Sequence, residues 1–447
     1  MNVQQLMHII GGTLTDKKYE QKKVGSINID SRTFKKGEVF LAFKGKRFDG
    51  HSFISDVLKK KPSCLIVEEG YVVKTKVPVI YVQDTNQTFF DLAKYYRKEF
   101  SGLVIAITGS CGKTSTKEFL SHILSKEYRV MKNEKNFNNI IGISKTLMKL
   151  HEDTQILILE CGTNHPGEMK VIEKLVKPDI VLITNIGTSH IGNFKNKKEI
   201  KKEKLALIKP MEEGVVFLHG EDSYLRKLRS SKVELFKTYN VHSLVSLRKV
   251  LCLFDKSVIE LEYHGIYYHI ECPIVGKGMV NNLLLAIECS VFLNISIPQI
   301  IKALETFPAL DSRLEKVKLS HHNLLLNDCY NASFESIISL LEIIQNVEKH
   351  KVIVLGEMKE LGTWSKKLHK QIGKKIKAIE NIELYLVGNE TKVIQKQNKN
   401  SIWFSSNEEL IQYLQNKSYK DSLFVVKGSR GMHLEDVVKY FCNRFRV

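Results

Sequence analysis

LVIAITGSCGKTST, residues 103–116, leads from an apolar run through a glycine-containing loop into a helical stretch. The run at 103–108 predicts a buried strand, because it is almost continuously apolar. Comparable runs follow at 156–160, 179–184 and 214–219. Strands of this kind that alternate with helices are typical of a doubly wound, mostly parallel sheet. The stretch therefore predicts an α/β fold for the centre of the chain.

Two further α/β regions flank this centre. Before it, the segments 37–45 and 63–69 predict strands and the segment 88–100 predicts a helix. After Arg313, apolar runs at 324–328, 351–356, 383–388 and 423–428 predict a second sheet. A chain of 447 residues is too long for one ordinary core. We therefore predict three α/β domains over 1–98, 99–309 and 310–447, the last of them Rossmann-like.

The composition is that of a soluble globular protein, with 43% hydrophobic and 26% charged residues. No run approaches the ~20 apolar residues of a membrane span. The first twelve residues lack the features of a secretory signal, so we expect a cytoplasmic protein. The eight cysteines are scattered without a zinc-binding spacing, which predicts reduced thiols.

The net charge of +19 is consistent with a nucleic-acid partner or with a small anionic substrate. The basic residues are spread along the whole chain, without an aromatic-interleaved segment. We therefore favour a phosphate-bearing small molecule and expect no nucleic-acid or membrane partner. We expect a monomer.

The loop after residue 108 has the residues of a phosphate-binding loop. A Gly-Lys-Thr triplet between a buried strand and a helix lets backbone N–H groups and the helix N-terminus hold phosphates. Ile107 replaces the first glycine of the general pattern, which leaves GxxGKT. We expect Lys113 to neutralise phosphate charge and Thr114 to offer its hydroxyl to Mg²⁺. The predicted ATP-binding residues here are Gly109, Ser110, Cys111, Gly112, Lys113, Thr114 and Ser115.

Two more polar side chains are predicted at the same edge of the sheet. Glu160 ends the strand at 156–160, and His190 follows the strand at 179–184. Ligands of α/β sheets bind at the carboxyl ends of the strands, and Mg²⁺ prefers oxygen ligands such as a carboxylate. Lys204, fourteen residues after His190, is by its local sequence a solvated lysine.

Seven segments in this order resemble the Mur ligases: GSCGKT (109–114), NFNN (136–139), LECGTNHPGEM (159–169), NIGTSHIGNF (185–194), NDCYNAS (327–333), LGEMKELG (355–362) and VKGSR (426–430). Segment 29–54 is similar to the N-terminal uridine-nucleotide domain of the same family. Within the family, the likeness is strongest to the members that add D-alanyl-D-alanine to a UDP-muramyl tripeptide. The resemblance implies an ATP-dependent ligase of peptidoglycan synthesis that makes an amide through an acyl phosphate.

The resemblance also implies roles for individual residues. Thr114 and Glu160 would hold one Mg²⁺, His190 a second, and Lys204 would be a carbamylated metal-bridging lysine. Lys113, His190, Lys204 and Arg313 would be catalytic, with Arg313 reaching the γ-phosphate. Asn282 and Asp328 would contact ATP, the latter at the ribose. The residues implied for the UDP-muramyl peptide and the dipeptide are Ser31, Arg32, Lys44, Gly45 and His51 in and near the segment 44–51, Asn138, Asn139, Tyr330 and Asn331.

The sequence departs from the family pattern in three motifs. The family motif G-x-H-N-V-x-N reads GKGMVNN at 276–282, so the adenine contacts near Gly278 and Met279 stay open. YNAS at 330–333 replaces YNANP, and Glu357 replaces the aspartate of LGDM, which leaves the amine substrate open. The alternatives are a sister ligase that adds another amino acid, a phosphate-loop phosphohydrolase or kinase, and an RNA-associated protein. The third residue of the acceptor peptide and the state of Lys204 are also open.

Overall fold

The computed structural model describes residues 1–45, 48–134, 136–239 and 243–446. The chain divides into two compact units. The first comprises 1–104, 129–159 and 171–177, and the second comprises 105–128, 160–170 and 178–447. The predicted limits 1–98, 99–309 and 310–447 differ from this division and stay a prediction.

The first 99 residues form a five-stranded sheet with three helices. The elements are α1 (Val3–Ile10), β1 (Thr13–Leu14), β2 (Ile27–Asn28), β3 (Val39–Leu41), α2 (Ile54–Lys59), β4 (Cys64–Glu68), β5 (Val79–Val82) and α3 (Thr85–Glu99). The strand order is β1-β5-β4-β3-β2, and only β1 is antiparallel to its neighbour. Phe89 and Leu92 of α3 pack against Val39 and Leu41 of β3. β3, β4 and α3 are the elements predicted at 37–45, 63–69 and 88–100.

The next region supplies six strands and four helices. They are β6 (Leu103–Thr108), α4 (Lys113–Leu124), β7 (Val130–Lys132), α5 (Ile140–Leu147), β8 (Ile156–Glu160), α6 (Glu168–Val176), β9 (Ile180–Ile183), α7 (Lys197–Leu205), β10 (Val215–Leu218) and β11 (Glu234–Lys237). In the second unit the parallel order is β11-β10-β9-β6. In the first unit β7 and β8 pair in parallel. The Cys161 N–H, just after β8, donates to the Ile107 carbonyl at 2.8 Å, so the carboxyl ends of β8 and β6 are neighbours.

An antiparallel sheet that the sequence did not predict follows β11. Its strands are β12 (Ser246–Cys252), β13 (Ser257–Tyr263) and β14 (Ile266–Cys272), and the helices α8 (Lys277–Phe292) and α9 (Ile297–Glu305) come after it.

The last region is a six-stranded sheet. Its elements are β15 (Glu315–Lys318), β16 (Leu324–Asp328), α10 (Phe334–Ile344), β17 (His350–Gly356), α11 (Ser365–Ile376), β18 (Ile382–Val387), α12 (Lys392–Gln395), β19 (Ile402–Phe404), α13 (Asn407–Gln415), β20 (Ser422–Lys427) and α14 (Glu435–Arg444). The order is β15-β16-β20-β17-β18-β19, and all pairs are parallel except β15 with β16. The predicted α/β class with parallel sheets is confirmed. None of the helices in the described ranges is both long and apolar enough to cross a membrane.

Candidate active site

The loop between β6 and α4 adopts a conformation that requires glycine at two positions. Gly109 has φ 144° and Gly112 has φ 82°, both in a region that residues with a Cβ rarely adopt. A Cβ on Gly112 would also collide with the side chain of Asn282, which lies on α8. Ser115 is buried in the first turn of α4. The loop therefore presents its backbone at the N-terminus of a helix, as phosphate binding needs.

Polar side chains converge on the start of α4. Lys113 Nζ donates to the carbonyl oxygens of Gly109 at 2.9 Å and Ser110 at 3.4 Å. Thr114 Oγ1 donates to Glu160 Oε2 at 2.8 Å, and Arg313 Nη2 donates to Thr114 Oγ1 at 2.9 Å. Thr114, Glu160 and Arg313, which lie far apart in sequence, are thus brought together as the resemblance implies.

Lys117 is a third cation at this site, for which no role was predicted from the sequence. Its side chain is fully buried, and its Nζ lies 3.8 Å from Glu160 Oε2. A lysine one turn after Lys113 on a helix faces the same side, which is the signal that could have found it. Lys117 therefore adds positive charge beside the predicted metal ligand.

The residues present fit a magnesium ion that is shared with a nucleotide. The Thr114 hydroxyl and the Glu160 carboxylate lie within 2.8 Å of each other and are both hard oxygen donors. Across the described ranges no three His, Cys, Asp or Glu side chains converge as a metal-binding group. Mg²⁺ commonly takes only one or two protein ligands and completes its shell with phosphate oxygens and water. The pair is consistent with that mode.

His190 lies in a strained loop and contacts the last region of the chain. Its φ is 60°, a conformation that costs a histidine energy and is concentrated at functional sites. His190 Nδ1 contacts the Glu360 carboxylate, and the His190 imidazole lowers the pKa of that carboxyl. The Gly192 N–H donates to the Glu360 carbonyl at 3.0 Å. Glu360 is therefore a further candidate site residue, for which no role was predicted from the sequence.

Lys204 is buried, although its local sequence predicted a solvated lysine. Its side chain lies on α7, and Nζ donates to Thr163 Oγ1 at 3.1 Å. Burial, and next to it the charge of Lys113, lowers the pKa of Lys204 to about 7. A large fraction of the amine is therefore neutral near pH 7.

Asp328 and its neighbours are held by a buried lysine. Lys427 Nζ forms an ion pair with Asp328 and donates to the Asn331 carbonyl at 3.1 Å. Asp328 Oδ1 also accepts from the Leu314 N–H at 3.3 Å. The Tyr330 ring lies 4.2 Å from the Arg313 guanidinium carbon, a cation–π contact. The segment that begins at Asp328 therefore adjoins the phosphate loop through Arg313.

The residues predicted to bind the uridine nucleotide belong to the first unit. Arg32 pairs with Asp30 at 2.7 Å and is otherwise exposed, while the Ser31 carbonyl accepts from Lys60 at 2.6 Å. Asp30 has its pKa lowered to about 2, chiefly by the Arg32 side chain.

The segment 44–51 and the asparagines of NFNN lie in the same unit. Lys44 pairs with Glu68, and Gly45 accommodates the Phe48 ring. Buried His51 contacts Asp49 at 2.6 Å and accepts the Glu68 N–H at 3.0 Å, so both ring nitrogens have partners. Residues 46 and 47 of this segment lie outside the described residues. Asn138 is half-buried, and Asn139 Oδ1 accepts from the Gly142 N–H at 2.9 Å as the N-cap of α5.

Three family models match the chain one after another. "Mur ligase family, catalytic domain" matches residues 23–97, "Mur ligase middle domain" matches 107–290, and "Mur ligase, glutamate ligase domain" matches 312–430.

Curated relatives and solved structures agree with these matches. The UDP-N-acetylmuramoyl-tripeptide–D-alanyl-D-alanine ligase of Bacillus subtilis is 30% identical over 98% of this chain and 97% of its own. A crystal structure of MurF from Acinetobacter baumannii superposes with a TM-score of 0.89 at 27% identity, covering 99% and 98% of the two chains. The crystal structure of MurF ligase from Thermotoga maritima in complex with ADP superposes with a TM-score of 0.82 at 26% identity. The match covers 93% of this chain and 96% of that chain. Matches that span nearly the whole chain in sequence and in fold establish that it belongs to the Mur ligase family.

Proposed function

We propose that this chain is an ATP-dependent ligase that joins D-alanyl-D-alanine to a UDP-N-acetylmuramoyl-tripeptide in the synthesis of peptidoglycan precursors. The observation that carries the proposal is the group of Lys113, Thr114, Glu160 and Arg313 at the loop after β6. The substrate pair is supported by relatives that bear that name and match this chain over nearly its full length. Because ATP and a nucleotide-linked peptide are the substrates, we place the enzyme in the cytoplasm.

In the first step, a carboxylate oxygen of the tripeptide attacks the γ-phosphorus of ATP. An acyl phosphate forms, and the bond to the β,γ-bridging oxygen breaks to release ADP. Such a transfer needs positioning and charge neutralisation more than covalent help from the protein. Lys113 and Arg313 would supply positive charge around the γ-phosphoryl group, and the N-terminus of α4 would add its partial charge.

Thr114 and Glu160 would hold a magnesium ion, with His190 and Lys204 as the proposed ligands of a second. When bound, such ions neutralise phosphate charge and allow two anionic groups to approach each other. Carbamylation of Lys204 requires an unprotonated side chain, because only a neutral amine reacts with carbon dioxide to give a carbamate. The burial that lowers the pKa of Lys204 to about 7 supports that modification.

In the second step, the amine of D-alanyl-D-alanine attacks the acyl carbon. The tetrahedral intermediate collapses to the amide, the amine loses a proton, and phosphate leaves with one former carboxylate oxygen. Cations that neutralised the phosphoryl group would also stabilise the oxyanion of this intermediate.

We assign the remaining contacts on the family resemblance. Asp328 would bind the ATP ribose, and Asn282 would contact the nucleotide beside Gly112. Tyr330 and Asn331 would lie on the amine side. The uridine nucleotide and muramyl peptide are assigned to Ser31, Arg32, Lys44, Gly45, His51, Asn138 and Asn139.

The proposal is tested by measuring phosphate release from ATP with a panel of UDP-muramyl peptides and amines. We expect release only when a UDP-muramyl tripeptide and D-alanyl-D-alanine are both present, with one amide formed per phosphate. Release without any amine would identify a phosphohydrolase, and preference for a single amino acid would identify a sister ligase. Varying the third residue of the tripeptide in the same assay defines the acceptor.

A further inference from the structure

Glu335, in the first turn of α10, bonds to the loop that carries His190. Its Oε2 accepts from the Thr188 N–H at 3.1 Å and from Thr188 Oγ1 at 2.8 Å. Its Oε1 pairs with Lys197 Nζ at 3.0 Å. Both carboxylate oxygens thus bond to residues that lie about 140 positions earlier in the chain. All of these residues belong to the second unit.

The approach of Glu335 to this loop depends on Gly187. A Cβ at that position would lie 2.8 Å from the carboxyl carbon of Glu335, so a larger residue would displace this carboxylate from the loop. The Gly187 N–H donates to Ser110 Oγ of the phosphate loop at 2.8 Å. The segment 187–190 is therefore held between the phosphate loop on one side and the start of α10 on the other.

The two partners of Glu335, Thr188 and Lys197, lie in the same loop and the same helix as the proposed ligands of the second metal ion. Thr188 precedes His190 by two residues, and His190 has a left-handed backbone that its surroundings must maintain. Lys197 is the first residue of α7, the helix on which Lys204 is buried. One carboxylate thus restrains both the His190 loop and the start of the Lys204 helix.

We infer that Glu335 is a positioning residue: it fixes the loop of His190 and the start of α7 in the arrangement that the ligase reaction uses. The inference rests on the proposed function. A carboxylate in the first turn of a helix also favours the helix by itself. However, Ser333 and Ser336 already form a capping box at this end of α10, and the bonds to Thr188 join Glu335 to a loop outside the helix.

The kinetic test compares Glu335→Ala, Glu335→Gln and Glu342→Ala. Glu342 lies on the same helix, is exposed and serves as the matched control. Loss of a residue that orients ligands from outside typically lowers activity or metal affinity about 10- to 100-fold. We expect Glu335→Ala to lower kcat by roughly tenfold or more and to raise the Mg²⁺ concentration for half-maximal activity. Glu335→Gln keeps an acceptor for Thr188 and should fall between Glu335→Ala and the wild type.

A second readout needs neither metal nor substrate. Hydrogen exchange of the peptide 186–193 in the ligand-free protein reports the Thr188 amide, and we expect roughly tenfold faster exchange in Glu335→Ala. Lys197→Met in the Glu335→Ala background should add little, because the shared contact is already lost. Unchanged exchange, or faster exchange with wild-type kcat and Mg²⁺ dependence, would overturn the inference. If the wild-type enzyme shows no ligase activity, the proposed function is refuted. The hydrogen-exchange measurement then still tests whether Glu335 holds the loop.

Discussion

Lys113 donates to the carbonyl oxygens of its own loop and lies where phosphate charge would be neutralised. Lys113→Ala should therefore lower phosphate release by about 100-fold or more, because a charge that acts in the transition state is removed. The melting temperature should stay close to that of the wild type. The matched control is Lys202→Ala, at an exposed position on α7. Full activity in Lys113→Ala would remove the loop from the mechanism.

Arg313 combines a charge with a fixed orientation. It donates to Thr114 at 2.9 Å, while its guanidinium carbon lies 4.2 Å from the centre of the Tyr330 ring. We expect Arg313→Ala to lower kcat about 100-fold or more, since arginines at a transferring phosphoryl group contribute at least that much. Arg313→Lys should recover only part of this loss, because an ammonium group cannot stack and donate in the same way. Steady-state kinetics with saturating ATP measure both variants, and equal activity of Lys and Arg at 313 would contradict the assigned orientation.

Sequence motifs predicted site residues at or shortly after the carboxyl ends of strands, such as Glu160 at the end of β8, Thr114 in the first turn of α4 and His190 after β9. They did not identify Glu335, Glu360 or Lys427. These residues act through partners far away in the chain, such as Thr188 for Glu335 and Asp328 for Lys427. Their spacing within one helix or loop therefore carries no signal. The burial of Lys204 could not be predicted from its local sequence either, because its contact with Thr163 joins two segments 41 residues apart.

At the scale of elements, α8 contains a buried carboxyl that makes stability depend on pH. Glu288 contacts Ser243 and accepts the Leu244 N–H at 2.8 Å, and burial raises the pKa of Glu288 from 4.5 to about 7. The folded state therefore binds the extra proton in this window, and the free energy of unfolding falls as pH rises from about 4.5 to about 7.

Glu288→Gln should remove this dependence, since an amide stays neutral and can still bond to both partners. We expect its melting temperature to exceed that of the wild type by about 2 °C or more at pH 8, with a smaller difference at pH 5. Thermal unfolding at the two pH values measures the effect, with Glu342→Gln as the exposed control. A difference that is the same at both pH values would contradict the buried, titrating carboxyl.

The elements that the sequence predicted are those with an uninterrupted apolar run. β6, β8 and β16 begin and end at the predicted residues, because burial on both faces leaves a continuous signal. The sheet β12-β13-β14 was missed. β12 reads SLRKVLC, and all seven of its positions are exposed or half-buried. Without clear alternation, pairing with neighbouring strands rather than the local pattern determines its structure.

At the scale of the whole molecule, a nucleotide that binds the folded chain should stabilise it. A non-hydrolysable ATP analogue with Mg²⁺ at about 100 times its Kd would add about 2.7 kcal/mol to the free energy of unfolding. The resulting rise in melting temperature should be small or absent in Lys113→Ala. A rise of equal size in both proteins would place the nucleotide elsewhere on the chain.

The proposed acyl phosphate transfers one substrate oxygen to phosphate, which gives the most direct test. A UDP-muramyl tripeptide with both terminal carboxylate oxygens labelled with ¹⁸O is incubated with the enzyme, ATP, Mg²⁺ and D-alanyl-D-alanine, and the released phosphate is analysed by mass spectrometry. We predict that each phosphate carries one ¹⁸O and that the amide retains the other. Unlabelled phosphate formed together with the amide would contradict activation of the carboxylate by the γ-phosphoryl group.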